Sequence, residues 1–297
     1  MEKKPCLSIV GCGQVGTVLG ALWHSSGVFE VEALVDVNLE KVRRAGALIG
    51  SGAPHESLEV LPPSDVILLA VPDDALISCA EALSAQATIK PGAIIFHCSG
   101  ATPSEALGLL RKHGASVASM HPLRSFADFN RAVDHFRGTY CGFEGDAEAR
   151  DILIEAFEEI GAEVFELDPS KKAIYHAASI FVSNYINALI EVGLSAFEEA
   201  GVAREVALKI IAPIARGTVD NIIASDPAAA LSGPLARGDS ELVAHQLAAL
   251  DGWNDRAATL YRMLGGVAVD LVERRAMLSP KKIEDLREAL AANKLNI

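Results

Sequence analysis

The sequence predicts an α/β domain with a mainly parallel sheet, followed by an all-α domain, and three observations carry this. An apolar run ends in G-x-G-x-x-G close to the N-terminus, at Leu7-Ser8-Ile9-Val10-Gly11-Cys12-Gly13-Gln14-Val15-Gly16. Apolar strand patterns then alternate with helical ones as far as Leu167. From Asp168-Pro169 onward β-branched runs stop, and long stretches carry helical periodicity rich in Ala, Leu and Glu. The predicted domains are therefore residues 1–167 and 168–297.

The first strand ends near Val10 and opens a Rossmann nucleotide-binding unit. Gly11 makes the tight turn, Gly13 lets the backbone approach a pyrophosphate, and Gly16 lets the helix pack closely on the strand. Gln14 and Val15 lie in the first turn of that helix, whose N-terminus faces an anion. A second strand, Val31 to Asp36, ends in a carboxylate able to accept hydrogen bonds from a ribose diol and to repel a 2′-phosphate. Asp36 therefore favours NAD, while Arg43 and Arg44, on the helix Leu39 to Leu48, keep NADP open.

Asp65 to Val71 is a fully buried strand, bracketed by Ser64-Asp65 and Val71-Pro72-Asp73-Asp74. Val71 and Pro72 then sit at its C-terminal end, on the cofactor crevice, and Asp73 or Asp74 is the expected N-cap of a helix from Asp74 to Ser84. Strands follow at Ala93 to Cys98, Ser116 to Met120, Thr139 to Phe143 and Glu163 to Leu167, with a helix from Asp146 to Ile160. Asp168 suits an N-cap with Pro169 at the first helical position, opening a helix through Gly193 towards Ala200. A further helix starts near Ala203 and breaks at Ser225-Asp226-Pro227, and others cover Ser240 to Leu250, Asp255 to Glu273 and Pro280 to Asn293.

Half of the 297 residues are hydrophobic, enough for a sizeable core, and the formal charge of -13 opposes a nucleic-acid or anionic-membrane partner. The five cysteines, Cys6, Cys12, Cys79, Cys98 and Cys141, form no C-x-x-C pair and read as reduced, buried cytosolic thiols. Met1 to Pro5 lead straight into a strand with no apolar h-region, so the expected compartment is the cytoplasm. Ala173 to Leu194 is strongly apolar but is interrupted by Ser179, Ser183, Asn184, Asn187 and Glu191, which a lipid-facing span rarely tolerates. It reads as a helix buried in protein.

Three clusters carry chemistry. Lys172, His176 and Asn184 share a broad helical face, and a ketone or imine accepting hydride needs a proton or a positive group that Lys172 or His176 supplies. His176 equally fits a satisfied core histidine, and Asn184 an interhelical hydrogen bond. Ser99 and Gly100, in Phe96-His97-Cys98-Ser99-Gly100-Ala101-Thr102, follow a parallel strand and face the ligand mouth, although Ser99 and Thr102 also fit helix caps. His121, Arg124 and Ser125 gather after the next strand, where Arg124 either clamps a substrate carboxylate or merely helps the loop turn. Ser232 to Asp239 is punctuated like a lid or clamp, with Arg237 and Asp239 placed to pair. The histidine spacings match no metal motif, and no G-x-S-x-G elbow is present.

With GCGQVG, SDVILLAVPDDAL, FHCSGA and a helical second half, the chain resembles the 6-phosphogluconate dehydrogenase-like superfamily. HCSGA, ASMHPLRSF, YHAASIFVSNY and SGPLARGD look like the proteins that join a Rossmann-like domain to a C-terminal domain of unknown function, distantly similar to ketopantoate and pyrroline-5-carboxylate reductases. The resemblance implies hydride transfer between NAD or NADP and a small carbonyl compound (a 2-keto acid, ketopantoate-like) or an imine. It also implies a homodimer that buries the helical domains together. In ketopantoate reductases and β-hydroxyacid dehydrogenases the second domain opens with a catalytic lysine and, four residues later, an asparagine. Lys172 matches the lysine, and His176 stands in place of the asparagine. Many relatives carry a Ser-Arg NADP site where this chain has Asp36-Val37-Asn38. The rival expectation is a non-catalytic dinucleotide sensor or assembly protein.

Overall fold

A computed structural model of the chain describes residues 4–291, and within it two compact units, Met1–Ser183 and Asn184–Ile297. The first contains β1 (Cys6–Val10), α1 (Gln14–Ser26), β2 (Glu30–Val35), α2 (Leu39–Ile49), β3 (Ala53–His55), β4 (Val66–Leu69), α3 (Leu76–Gln86) and β5 (Ile94–His97). It continues with β6 (Ser116–Pro122), α4 (Phe129–Asp134), β7 (Tyr140–Gly145), α5 (Ala147–Glu159), β8 (Glu163–Glu166) and α6 (Lys172–Val182). A 3₁₀ stretch, Ser104–His113, links β5 to β6.

Among the described residues eight strands form one sheet in the order β3-β2-β1-β4-β5-β6-β7-β8. All neighbours run parallel except β6 and β7, which pair antiparallel with Met120 opposite Phe143. The strand order reverses at β1, which lies between β2 and β4, and such a switch point leaves a crevice at the C-terminal strand ends. The central strands are covered on both faces and so are mostly apolar, and their side chains part by alternation. Ile9, Leu68, Phe96 and Met120 enter one apolar cluster with α1, α2 and α5. Val10, Ile67, Leu69 and Ile95 enter the other with α3 and the 3₁₀ stretch. Strand β3 was not legible in the sequence, since it holds only three residues and one is Pro54, tolerable because β3 is an edge. Helix α4 was likewise missed, being one short turn and a half capped by Asp128.

Neither Asp73 nor Asp74 is an N-cap: a 3₁₀ turn, Asp73–Ala75, precedes α3, and no side chain caps either element. Asp168 does cap, accepting from the Ser170 amide at 2.9 Å with Pro169 in the first turn. The division between units follows α6 and not Asp168, because α6 is tied into the sheet through its first residue, Lys172.

The second unit holds α7 (Asn184–Glu199), α8 (Arg204–Ala224), α9 (Pro227–Ala230), α10 (Gly233–Arg237), α11 (Ser240–Trp253), α12 (Asp255–Arg275) and α13 (Pro280–Ala291). The expected end of α13 at Asn293 lies outside the described residues. Val243 and Leu247 of α11, Val269 and Val272 of α12, and Ile283, Leu286 and Leu290 of α13 form its core. Gly265 permits this packing, since a Cβ there would meet a Leu290 methyl at 2.6 Å. The expected lid at Ser232 to Asp239 is instead the short helix α10, and Asp239 caps α11 through the Leu242 amide at 3.2 Å.

The helix expected from Asp168 to Ala200, buried in protein, is corrected on both counts. It breaks at Ser183 (φ -126°, ψ -71°), and of the run Pro169–Glu199, long and apolar enough by length and composition to cross a membrane, little is buried. Ile174 is 72% exposed, Phe181 65% and Val182 72%. Within each unit too few neighbouring elements pack on α6 and α7 to cover their apolar sides.

Trp23 on α1 is fully buried, lies edge-on to Phe29, Phe96 and Phe157, and donates from Nε1 to the Ala156 carbonyl of α5 at 2.8 Å. We predict that Trp23→Ala lowers the stability of the chain by about 3–5 kcal/mol, read as a drop in the urea midpoint.

Candidate nucleotide-binding and active site

The turn after β1 is shaped by close backbone approaches. Gly11 has φ +98°, its amide donates to the Val35 carbonyl at 2.7 Å, and a Cβ there would stand 2.5 Å from the Ala70 carbonyl oxygen after β4. A Cβ on Gly16 would meet the Gly11 oxygen at 2.4 Å, so α1 can seat on β1 only with glycine there. Gly13 is different: nothing lies within 4 Å of its Cβ position, and it is exposed together with Gln14. No side chain caps α1, so its first amides face open space, the arrangement that receives a phosphate. Asp36 stands beside this turn. Its Oδ2 accepts from the Cys12 amide at 3.0 Å and its Oδ1 from the Asn38 amide at 2.9 Å, leaving lone pairs on both oxygens for further donors. The Cys12 thiol is pushed up to about 12, first by burial and then by Asp36.

A second assembly sits at the far ends of β5 and β6. Lys172, 0% exposed, donates from Nζ to Glu144 Oε1 at 2.9 Å and to Ser119 Oγ. Glu144 also accepts from Ser104, at 2.7 Å from the amide and 2.6 Å from the hydroxyl. Burial pushes the Lys172 ammonium down, against the pull of Glu144. The loop between β5 and the 3₁₀ stretch is fixed by its own side chains. Ser99 Oγ accepts from the amides of Ala101 and Thr102, the Ser99 amide donates to His97 Nδ1 at 3.1 Å, and the opposite ring nitrogen reaches the Pro103 carbonyl at 3.4 Å. His97 therefore carries its hydrogen on Nε2 and is neutral, its pKa pushed down to about 3 by burial and then by Lys172.

Above this network three rings meet. His121 Nδ1 shares a hydrogen bond of 2.9 Å with the Tyr175 hydroxyl, and its ring lies edge-on to Tyr175 and His176, at 5.6 and 5.7 Å. Burial first, then His176 and Lys172, push His121 down to about 4. Gly100 closes the cluster: a Cβ there would lie 2.4 Å from His176 Nδ1 and 2.8 Å from His121 Nε2. Among the described residues no group of three or more His, Cys, Asp or Glu is placed to hold a metal ion.

Residues 2–122 match the family model of a Rossmann-like domain, and residues 139–267 match a domain of unknown function, DUF2520. The chain joins a Rossmann-like domain to a DUF2520 domain. Among curated proteins none matches the sequence significantly. The chain is similar in structure to protein TM1727 from Thermotoga maritima, at 23% identity and a TM-score of 0.73, with 91% of this chain and 99% of that one covered. Protein BF3122 from Bacteroides fragilis, to which an NADP oxidoreductase activity is attributed, gives 18%, 0.71, 91% and 99% on the same measures. The V8 variant of an imine reductase from Myxococcus stipitatus, in complex with NAD+, gives 16%, 0.61, 97% and 100%. At such identities the likeness establishes the fold. The DUF2520 match begins at Thr139, so it contains Glu144, Lys172, Tyr175 and His176, whereas Gly100, Ser119 and His121 belong to the Rossmann-like match.

Several expected site residues take other places. Lys172 is sequestered by Glu144 and Ser119 and is an anchor of α6, not a group open to a substrate. Arg124 is engaged within the protein: its Nη1 donates to the His135 carbonyl at the C-terminus of α4 and to Thr139 Oγ1 at 3.1 Å, holding the loop before β7. Asn184 does not continue the face of Lys172 and His176, because it opens α7 after the break at Ser183. Val71 contributes its backbone nitrogen to the close approach at Gly11, Pro72 follows it exposed, and Ser125 is exposed on the loop after β6. Ser99 acts as a local cap. Asp239 is engaged with Leu242 instead of Arg237. The sequence reading missed Glu144, whose signal was a lone carboxylate inside the apolar strand Tyr-Cys-Gly-Phe-Glu-Gly, and Tyr175, adjacent to His176 but unremarkable in composition.

Two outcomes follow from this geometry. Lys172→Met or Glu144→Gln alone leaves a buried charge unpaired, with an expected loss of about 3–5 kcal/mol, whereas the double variant recovers a large part of it. Urea denaturation of the three variants checks this. His97 is neutral when folded, while the unfolded chain binds its proton near pH 6.5, so its contribution is complete above that pH and declines as pH falls from about 6.5 towards 3. The expected slope is about 1.4 kcal/mol per pH unit, and His97→Asn flattens it in denaturation measured between pH 7.5 and 5.

Proposed function

We propose that the protein is a cytoplasmic NAD(P)-dependent oxidoreductase that moves hydride between a nicotinamide cofactor and a small carbonyl compound, ketopantoate-like or another 2-keto acid, or an imine. The observation that carries the reading is the turn at Gly11 to Gly16, where two glycines are consumed by backbone packing and the third, Gly13, faces open space at the uncapped start of α1. A pyrophosphate fits there, held by the first amides of α1, and Asp36 offers two carboxylate oxygens to a ribose diol. A carboxylate at that point favours NAD over NADP, with exposed Arg43 and Arg44 as the groups an NADP phosphate would need. A nicotinamide, when bound, would supply hydride, and the Ser99–Gly100 loop is among the residues that would hold it. His121 and His176 are the groups proposed to serve a substrate oxygen or nitrogen that needs a proton, while Lys172 and Glu144 hold α6 in place. The fold shared with an imine reductase is consistent with this chemistry.

The sequestration of Lys172, the position at which the family resemblance implies a catalytic lysine, favours a second reading as a dinucleotide-binding sensor without turnover. Nicotinamide fluorescence titration tests the cofactor, and turnover assays with keto acids and cyclic imines separate the two readings. We expect NADH to bind more tightly than NADPH, and Asp36→Ala to weaken NADH about tenfold or more while sparing NADPH. Binding of neither cofactor to the natural chain overturns both readings.

A homodimer completes the proposal. Apolar side chains on α6 and α7 are exposed, and an apolar groove of about 710 Å³, lined by Leu189, Val192, Leu250, Trp253 and Leu264, lies open on the second unit. A second copy of the chain covers such surfaces best. Light scattering at micromolar concentration is expected to give about twice the chain mass of 31.3 kDa, and a monomer refutes the dimer.

A further inference from the structure

Strand β4 pairs with β1 on one side and β5 on the other, so the chain leaving it runs out between the glycine turn and the Ser99–Gly100 loop. It touches the turn at once, for a Cβ on Gly11 would lie 2.9 Å from the Val71 nitrogen. Two residues on, Asp73 opens a 3₁₀ turn and is exposed. Among the described residues its carboxylate makes no hydrogen bond or ion pair, and it caps neither that turn nor α3. The register sets Leu69 of β4 beside His97, and His97 beside Ser119, whose hydroxyl takes the Lys172 ammonium. Asp73 lies four residues past the β4 end of that row, and its charge is felt at His97, His121 and Lys172 alike.

The other charges at these strand ends are cancelled or engaged. Lys172 and Glu144 neutralise each other out of water at 2.9 Å. The Arg124 guanidinium, the group suited to a substrate carboxylate, is bound to the His135 carbonyl and Thr139. Burial keeps His97 and His121 uncharged. Among these groups one open negative charge is left, and a carboxylate-bearing substrate would enter its field with neither counter-ion nor clamp. Proton-bearing groups are taken as well: Lys172 is sealed, Tyr175 is hydrogen-bonded to His121 Nδ1, and His121 Nε2 and His176 Nδ1 pack against Gly100.

We propose that the substrate is a cation at nitrogen, an iminium ion in the reductive direction and its amine in the oxidative one, and that Asp73 is the counter-ion that selects it over 2-keto acids. The inference rests on the oxidoreductase reading above and narrows it to a nitrogen that arrives already charged. The iminium carbon accepts hydride, with its electron pair, from the reduced nicotinamide. The C=N π pair becomes the lone pair of the amine, and the positive charge passes to the cofactor. No proton moves in that step, so a sealed lysine and engaged rings are no obstacle to it. Asp73 is a specificity-determining residue, open to solvent where the cation enters.

The test uses full-length protein, NADH and NADPH titration, and turnover of 1-methyl-1-pyrrolinium, a permanent cation without an N–H, against that of ketopantoate. We expect kcat/KM for the cation to exceed that for ketopantoate about tenfold or more. Asp73→Asn is expected to raise KM for the cation about tenfold, to leave KM for ketopantoate unchanged or lower, and to keep the Kd of the reduced cofactor within about twofold. Unlike responses to one substitution mark a charge, since a merely structural role moves both substrates alike. Calorimetric titration of the chain loaded with reduced cofactor repeats the comparison without turnover, using N-methylpyrrolidinium and pantoate, which that cofactor cannot reduce. Ketopantoate turned over or pantoate bound as well as the cation, a cation indifferent to Asp73→Asn, or binding of neither ligand overturns the inference, while cofactor binding leaves the oxidoreductase reading standing. Absence of binding by either cofactor in the natural chain defeats the oxidoreductase reading itself.

Discussion

The ion pair between Lys172 and Glu144 is the constraint on which the candidate active site depends. Its partners come from four places: α6, β7, the Ser119 hydroxyl of β6 and the start of the 3₁₀ stretch at Ser104. The two charges are both out of water, so the pair contributes little net stability, since desolvation offsets most of the attraction. Its effect is registry. The first residue of α6 has one place where its ammonium is satisfied, and that fixes which side of the helix overlies β6. Tyr175 and His176, one turn further along, then have no freedom to miss His121. Because the same carboxylate holds Ser104, the loop carrying Ser99 and Gly100 is referred to the same point as the helix above it.

The device recurs at the other strand ends. Asp36 holds the Cys12 amide, Asp65 the Cys6 amide at 2.9 Å and Asp146 the Val117 amide at 2.8 Å. Ends of parallel strands expose amides that the ladder cannot pair, and a short acidic side chain from a neighbouring segment supplies the acceptor. Part of the acidic excess of this chain is thus architectural. At Asp36 one carboxylate serves two tasks, fixing the glycine turn and presenting oxygens beside it.

The fold was largely legible, for physical reasons that differ along the chain. Strands such as Val66–Leu69 are buried on both faces and so appear as unbroken apolar runs, and the glycine spacing declares its turn because close backbone contacts admit no side chain. The nucleotide end of the site follows from consecutive residues and could be read directly. The other end could not, because it is built across long separations. Glu144 looks like an acid at the edge of a strand until Lys172 and Ser104 are brought to it. Arg124 has the composition of a carboxylate clamp, yet the C-terminal carbonyls of the short helix α4, invisible to periodicity, claim it first. The apolar run after Asp168 read as buried because hydropathy records what a side chain prefers, and α6 and α7 have those preferences unmet within each unit.

Tryptophan occurs twice in this chain, and the folding of the chain has placed one indole in each compact unit: Trp23 inside the aromatic cluster of α1 and Trp253 at the end of α11. The first sits in a dry, rigid cage against three phenyl rings, the second at the border of an open apolar groove, so their emission spectra differ at the outset. The molecule therefore comes with a separate optical label for each of its halves. Replacing either indole by phenylalanine makes the loss of one half visible without the other, which shows whether they melt together or in turn.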